Sequence, residues 1–432
     1  MEHFDLAKIN KIHCIGIGGV GISSLARLLV HQGKEVSGTN DGPSPDTLDG
    51  LRDLGVYISL DLNPVNLPEA DLYIYSDAWL TNNPEVLAQA KTSGAPCLSY
   101  FEALGLVASA YDVIAVAGTH GKTTTTSMVA DVLEAADFDP TVVVGSIRAK
   151  TKSNFQAGNS KWLVVEADEY RRHFLHFTPK VLAIINIDTD HLDYYKDLAD
   201  IQSAFSKLAQ KVPTNGVVIC NPTDPNVVPV IKDVTCQIVD YTKFIDPNLK
   251  LKVPGEHNRV DAGVALAVAD WLKISLSISR EALEKFSGTW RRFEYLGVTK
   301  DGVLIYDDYA HHPKEIQATL SGAREKWPDK KVVAVFQPHL YSRTKLLLND
   351  FAQSFAQADE VIILPIYAAR ESADPTISHK ILVDEIAKYN SKVTALDSFT
   401  EAKNHLKTMA KSGDVVITMG AGNVVEIAKS ML

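Results

Sequence analysis

This 432-residue chain lacks most of the features that point outside the cell or toward a polymer. Its four cysteines, Cys14, Cys97, Cys220 and Cys236, are far apart and form no CxxC pair. That excludes a readable zinc knuckle or disulfide framework. Cys14 falls in a predicted strand and reads as a small buried hydrophobe. No apolar run approaches the length of a membrane span. The opening residues, MEHFDLAKINK, have no apolar stretch of the kind a signal peptide needs. The expectation is a cytoplasmic protein without membrane insertion. A basic excess is missing too: 43 Lys and Arg stand against 53 Asp and Glu, a formal net charge of −10. Nucleic acid is therefore not the default partner. There is no low-complexity segment and no short repeat. What remains is an ordinary globular composition, 46% hydrophobic and 22% charged, with material for about two to four domains.

The most informative stretch present is GTHGKTTTT at 118–126. It follows the apolar run VIAVA at 113–117, which reads as a buried strand, and precedes a helix predicted from Ser127 onward. Strand, glycine loop, Lys, Thr and helix together cradle nucleotide phosphates. Glycines let backbone N–H groups approach phosphate oxygens, and the helix turns its positive end toward them. Lys122 can reach the β- and γ-phosphates, and the Thr123 hydroxyl can ligate Mg²⁺. The loop is shorter than the full Walker pattern, because Val116 stands where that pattern has glycine. ATP or GTP is expected here.

Strands alternate with helical patterns through most of the chain, which predicts α/β architecture with largely parallel sheets. Three blocks separate. Residues 1–108 hold predicted strands at 12–16, 35–38 and 72–75 and a helix at 23–31. Residues 109–292 add strands at 162–166, 182–186 and 216–220. Residues 293–432 carry strands at 303–307, 331–336, 360–364 and 414–418. The expected fold is a Rossmann-like N-terminal domain, a central P-loop ATPase-like parallel sheet and a Rossmann-like C-terminal domain.

Ligands of open α/β sheets sit at the carboxyl ends of strands, and four more such ends carry unusual residues. GIGGVG at 16–21 fits a dinucleotide fingerprint through Gly16, Gly18 and Gly21, with Gly19 between them. About 20 residues on, Asn40 and Asp41 can meet a ribose or base. Any nucleotide pyrophosphate, a UDP-sugar included, fits that loop. Glu166, in VVEADEY, ends a strand expected beside the phosphate-loop strand and can hold the Mg²⁺ shared with Thr123. Asp168 and Glu169 are nearby alternatives, or simply an acidic loop capping the next helix. NIDTDHLDYY, at 186–195, gathers Asp188, Asp190, His191 and Asp193. Three carboxylates around a histidine look like a cation site. His191 orienting phosphate or water is one alternative, and an N-cap role for Asp188 and Asp193 is another. In the last block, DDYAHHP at 307–313 and FQPHLYSRT at 336–344 supply Tyr309, His311, His312, His339 and Arg343 after two strands that can face one cleft. Between the blocks lie PGEHNRVDA at 254–262 and GTWRRF at 288–293. An arginine there can reach a transferred phosphoryl group, and a salt bridge is the plain reading for Arg291.

These signatures, in this order over nearly the whole chain, resemble the Mur ligases of peptidoglycan synthesis, and within them the alanine-adding branch. The resemblance implies three domains, for UDP-sugar, ATP and amino acid. It implies an ATP- and Mg²⁺-dependent ligase joining L-alanine to UDP-N-acetylmuramate through an acyl phosphate. It assigns ATP to Gly118, Thr119, His120, Gly121, Lys122, Thr123 and Thr124, with His257 and Asn258 at adenine and Asp308 at the ribose. The UDP-sugar falls to Gly16, Gly18, Gly19, Gly21 and Asn40, and the amino acid to Tyr309, His311 and Arg343. Thr123, Glu166 and His191 serve the metal, and Arg292 steadies the transferred phosphate. The chain departs from the family pattern at Leu340, at Asp261, at Val144-Gly-Ser146, and at Phe205, where several relatives carry a carbamylated lysine. A ligase attaching a whole tripeptide to the same UDP-sugar is the rival reading. An NAD oxidoreductase would leave the phosphate loop idle, and a simple P-loop ATPase would leave the outer blocks without a role. A monomer or homodimer is expected.

Overall fold

Runs of apolar residues bounded by glycine and polar loops fold here as strands buried on both faces, the usual state of parallel sheets. The computed structural model describes residues 6–432 apart from 44, 193 and 370 and the side chains of Ala7, Pro45 and Asp46. It contains three sheets. The first has five parallel strands in the order Tyr57–Ser59, Glu35–Thr39, Lys11–Ile15, Leu72–Tyr75, Cys97–Ser99. Strand order reverses beside Lys11–Ile15, so the GIGGVG loop leaves the sheet at a switch point, where such sheets bind ligands.

The central sheet has seven strands. Asp112–Ala117 lies between Val181–Ile184 and Trp162–Glu166, all parallel. The phosphate loop, Asn186 and Glu166 therefore emerge at one sheet edge, side by side. An antiparallel hairpin, Thr141–Arg148 with Ser153–Gln156, closes one side. The third sheet has six strands, with Leu304–Asp308, Val415–Met419 and Val332–Phe336 adjacent and parallel. DDYAHHP, GAGN and FQPHLYSRT follow these three neighbours, so they leave the sheet from the same end.

The chain forms two compact units. One comprises residues up to Lys250 with Val260–Phe286 and holds the first two sheets; the other comprises Leu251–Arg259 with Ser287–Leu432 and holds the third. Within the first unit one apolar core runs through both sheets, taking in Ile12, Leu25 and Leu72 as well as Leu163, Leu182 and Phe205. Arg27, on the helix Val20–His31, donates to Ser153 Oγ at 3.0 Å and Asn154 Oδ1 at 3.1 Å, tying that helix to the edge hairpin. Phe205 is fully buried and meets Phe174 edge-on at 5.0 Å, so it is plain core.

Several boundaries differ from the sequence reading. The helix after the phosphate loop begins at Lys122, not Ser127. A run of β-branched threonines argues against helix, but Thr126 Oγ1 donates to Lys122 O at 2.7 Å and Ser127 Oγ to Thr123 O at 2.8 Å. Those hydroxyls are satisfied by the preceding turn. The first helix likewise starts three residues early, at Val20. The strand expected to reach Asn186 ends at Ile184. Among the described residues seven strands are unforeseen: Tyr57–Ser59, Cys97–Ser99 and Val393–Ala395 have three residues each, too few to show a period, and Thr141–Arg148, Ser153–Gln156, Gln237–Asp240 and Glu294–Val298 were also missed. Among the described residues no helix is long and apolar enough to cross a membrane.

Candidate active site

The phosphate loop needs its glycines. Gly118 has φ +148° and Gly121 φ +84°, and a Cβ on Gly121 would lie 2.5 Å from Asp261 Oδ1. The loop is held by the neighbouring strand end. Asn186 accepts from His120 N at 2.9 Å, donates to His120 O at 3.1 Å, and offers its backbone carbonyl to Thr119 N at 3.2 Å. Thr119 Oγ1 accepts from Asp188 N at 2.8 Å. No side chain caps the helix Lys122–Ala135, so its first-turn N–H groups are available to an anion. The Lys122 ammonium donates to Gly118 O at 2.7 Å and Thr119 O at 3.1 Å, and lies 2.8 Å from Glu169 Oε2. Backbone, helix end and cation together fit a polyphosphate.

The acids divide by role. Glu166 Oε1 accepts from Thr123 Oγ1 at 3.0 Å, and Oε2 accepts from Gly145 N at 2.8 Å. A Cβ on Gly145 would sit 2.8 Å from both carboxylate oxygens. Gly145 therefore serves Glu166, a pairing the sequence did not signal. The Thr123 and Glu166 oxygens form the hard donor pair that Mg²⁺ prefers. Glu169, buried, is the partner of Lys122. Burial pushes its carboxyl above the usual range, and the nearby Asp168 charge adds to this against the pull of Lys122. Burial also works against the Lys122 charge, but Glu169 and Asp168 outweigh it and hold the ammonium above its ordinary value. Asp168 Oδ2 lies 3.5 Å from His173 Nδ1, whose other nitrogen is 3.1 Å from Asp77 Oδ2.

Of the three carboxylates expected as a cation site in NIDTDHLDYY, the structure describes Asp188 and Asp190. Among the described residues no three His, Cys, Asp or Glu groups are placed to hold a metal ion, and Asp193 lies outside those residues. Asp188 Oδ1 accepts from Thr189 N at 2.9 Å, and Asp190 Oδ1 from His191 N at 2.7 Å. Such short polar side chains serve the local turn first. His191, at φ +53°, brings Nε2 to 3.9 Å from Glu169 Oε1, with its ring 4.7 Å from Tyr170.

In the GIGGVG loop, Gly16 N donates to Thr39 O at 2.7 Å, and Asn40 braces Gly18. Asn40 Oδ1 accepts from Gly18 N at 2.9 Å while Nδ2 donates to Gly42 O at 2.7 Å. The side chain read as a ligand contact is thus occupied in shaping the loop. Close approach explains the glycines: a Cβ on Gly16 would strike Trp79, and one on Gly21 would strike Tyr100.

In the third sheet, the histidines and arginine of the two loops converge. The His311 ring is 5.3 Å from Tyr309 and 6.1 Å from His339, and Arg343 Nη1 is 3.3 Å from His339 Nδ1. Tyr367, not foreseen, stacks on His339 at 5.7 Å. Burial holds the His311 imidazole below its usual value. His312 is instead the N-cap of the helix Pro313–Lys326 in a capping box with Glu315. Arg291 is a buried structural residue, with Nε 2.6 Å from Asp307 Oδ2. Arg292 is about one-third exposed, with Nη1 3.8 Å from Glu315 and its guanidinium 5.2 Å from the Tyr309 ring centre. Asp308 is buried and accepts from Phe293 N, Ala310 N and Thr319 Oγ1; burial raises its carboxyl to about 6. Asn258 Nδ2 donates to Pro254 O at 2.6 Å and is 3.0 Å from His257 Nε2.

Comparison with known proteins gives the same family over all three blocks. Residues 11–112 match the family model "Mur ligase family, catalytic domain", 116–245 "Mur ligase middle domain", and 291–422 "Mur ligase, glutamate ligase domain". The chain is 39% identical to a UDP-N-acetylmuramate–L-alanine ligase of Caldanaerobacter subterraneus subsp. tengcongensis, covering 99% of this chain and 98% of that protein. The crystal structure of a UDP-N-acetylmuramate–alanine ligase from Thermotoga maritima superimposes with a TM-score of 0.80 at 28% identity over 98% of both chains. A murein peptide ligase from Psychrobacter arcticus gives 0.70 at 26% identity, again over 98% of both.

Proposed function

The chain belongs to the Mur ligase family, and from that membership we propose that it joins L-alanine to UDP-N-acetylmuramate at the expense of ATP. The products are UDP-N-acetylmuramoyl-L-alanine, ADP and phosphate, in the cytoplasmic synthesis of peptidoglycan precursors. The observation that carries this reading is the end-to-end match to a UDP-N-acetylmuramate–L-alanine ligase, with Lys122, Thr123 and Glu166 gathered at one sheet edge.

The γ-phosphoryl group passes to the muramyl carboxylate and ADP leaves. The alanine nitrogen then bonds to the acyl carbon, the C–O bond to phosphate breaks, and the nitrogen gives up a proton. Phosphoryl transfer asks for positioning and charge neutralisation rather than a protein nucleophile. The loop from Gly118 to Thr124, its Thr119 and His120 N–H groups held by Asn186, receives the phosphates at the N–H groups of the helix start, and Lys122 neutralises them. Thr123 and Glu166 would hold Mg²⁺ beside His191, and that ion would supply further charge neutralisation. His257 and Asn258 take adenine, Asp308 the ribose, and Arg292 steadies the transferred phosphate. The GIGGVG glycines receive the UDP-sugar, with Asn40 fixing their loop. Arg343 pairs with the amino-acid carboxylate beside Tyr309 and His311.

Phosphate release with ATP, Mg²⁺ and the UDP-sugar tests the proposal, with alanine, serine, glycine or tripeptide as acceptor. Release with alanine is expected. Release only with tripeptide would transfer the chain to the reading that its likeness to the murein peptide ligase favours. The metal assignment is tested at Gly145. A methyl group there would push Glu166 off its place, so Gly145→Ala is expected to raise the Mg²⁺ needed for half-maximal rate roughly tenfold or more. An unchanged Mg²⁺ titration would remove Glu166 from the metal site.

A further inference from the structure

Gln337 is not accounted for by any role above. It follows the strand Val332–Phe336, and its backbone N–H continues the sheet to Met419 O at 3.0 Å. The residue is 5% exposed, and its buried Oε1 accepts no hydrogen bond from any described residue. Buried carbonyl groups left without a donor are rare and costly. This one is also aimed. A Cβ on Gly422 would lie 2.5 Å from Gln337 Oε1 and 3.0 Å from Tyr367 Cγ, so the amide oxygen and the Tyr367 ring border the same side-chain-free face of Gly422. Tyr367 stacks on His339, and His339 contacts Arg343. The amide oxygen therefore lies at the Tyr367 side of the cluster assigned to the amino acid.

An amino acid held by its carboxylate on Arg343 still has an amine to orient, and that amine attacks only when neutral. A carboxylate at this position would favour the ammonium form. A neutral carbonyl acceptor takes an N–H and leaves the nitrogen lone pair for the acyl carbon. We infer that Gln337 Oε1 is the acceptor for the amine of the incoming amino acid, approached across the side-chain-free face of Gly422. The inference rests on reading this cluster as the amino-acid site.

Steady-state kinetics of the full chain test it. Gln337→Met keeps the volume and removes the acceptor. The expected result is a KM for L-alanine raised about tenfold, with the KM values for ATP and the UDP-sugar within about twofold and a melting temperature equal or higher, since a buried orphan is gone. Gln337→Glu should move the pH profile of kcat/KM for alanine to higher pH, because its carboxylate favours the ammonium. An unchanged alanine KM in Gln337→Met, or a parallel loss for all three substrates with a lower melting temperature, overturns the inference. A wild-type chain that uses tripeptide alone overturns the L-alanine reading instead. The same variants are then judged on the tripeptide KM, since that substrate also attacks through an amine.

Discussion

Lys122→Ala is expected to lower turnover by about three orders of magnitude or more, while UDP-sugar affinity measured by calorimetry stays within about twofold. The ammonium is the cation seated in the phosphate loop, on Gly118 O and Thr119 O. Its loss removes charge stabilisation that grows as the phosphoryl group moves. The UDP-sugar is assigned to a different sheet, so its binding should persist. Loss of both with the fold intact would overturn the assignment of the GIGGVG loop. The same substitution strands Glu169, which is 2% exposed and loses its ion-pair partner. Breaking a buried pair from one side costs about 3–5 kcal/mol. The pH dependence has a definite sign. The Glu169 carboxyl is already raised in the fold, and without Lys122 it rises further. A group with a higher folded than unfolded pKa binds more protons when folded, so stability falls as pH rises through that interval. Lys122→Ala should therefore be penalised more at pH 8 than at pH 5. Adding Glu169→Gln should recover much of the stability and none of the turnover. Equal melting losses at both pH values would deny Glu169 its role as the buried counter-charge.

The sequence carried the architecture well because a parallel sheet writes itself in apolar runs that end in polar residues. Lys122, Thr123 and Glu166 were legible for that reason: neighbouring strands bring their ends together, and Thr123 does meet Glu166 at 3.0 Å. What the pattern could not show was the choice between adjacent residues. Asp168 and Glu169 are both acids in one loop, yet only Glu169 pairs directly with Lys122. Asn186 carries no charge and heads NIDTDHLDYY without a role read for it, although it clamps the phosphate loop through three hydrogen bonds. Its position one strand from the loop was the available signal. Gly145 was seen only as a departure from a family pattern, because its reason lies across the sheet in the Glu166 carboxylate. Asp188 and Asp190 show the local pull on such acids. Their spacing suggested a cation site, and one oxygen of each accepts from a backbone N–H of its own loop.

The two arginines of GTWRRF present the sharpest such choice, and they should separate cleanly by experiment. Arg291 is 4% exposed and Asp307 0%. Its Nε meets Asp307 at 2.6 Å, and its two terminal nitrogens donate to Gly422 O at 2.9 Å and Gly420 O at 2.7 Å. One side chain thus joins the entry of the third sheet to the GAGN loop. Arg291→Met would leave Asp307 ionised and buried, with the Thr418 hydroxyl donating to it at 2.6 Å. A loss of about 3–5 kcal/mol in urea unfolding is expected. Arg291→Lys should not rescue it, since an ammonium cannot present the planar fork that reaches a carboxylate and two carbonyls at once. Arg292 is the reverse case. Its 3.8 Å approach to Glu315 on a partly exposed side chain is worth at most about 1 kcal/mol. Arg292→Met should therefore unfold almost as the parent does, yet turn over roughly 10²- to 10³-fold more slowly if its guanidinium steadies the transferred phosphate. Single-turnover rates at saturating ATP and UDP-sugar read that difference directly. A parent-like rate for Arg292→Met would strip that residue of the phosphoryl role. Parent-like stability for Arg291→Met would mean that Asp307 is neutral in the fold, a state its burial already favours by raising its carboxyl.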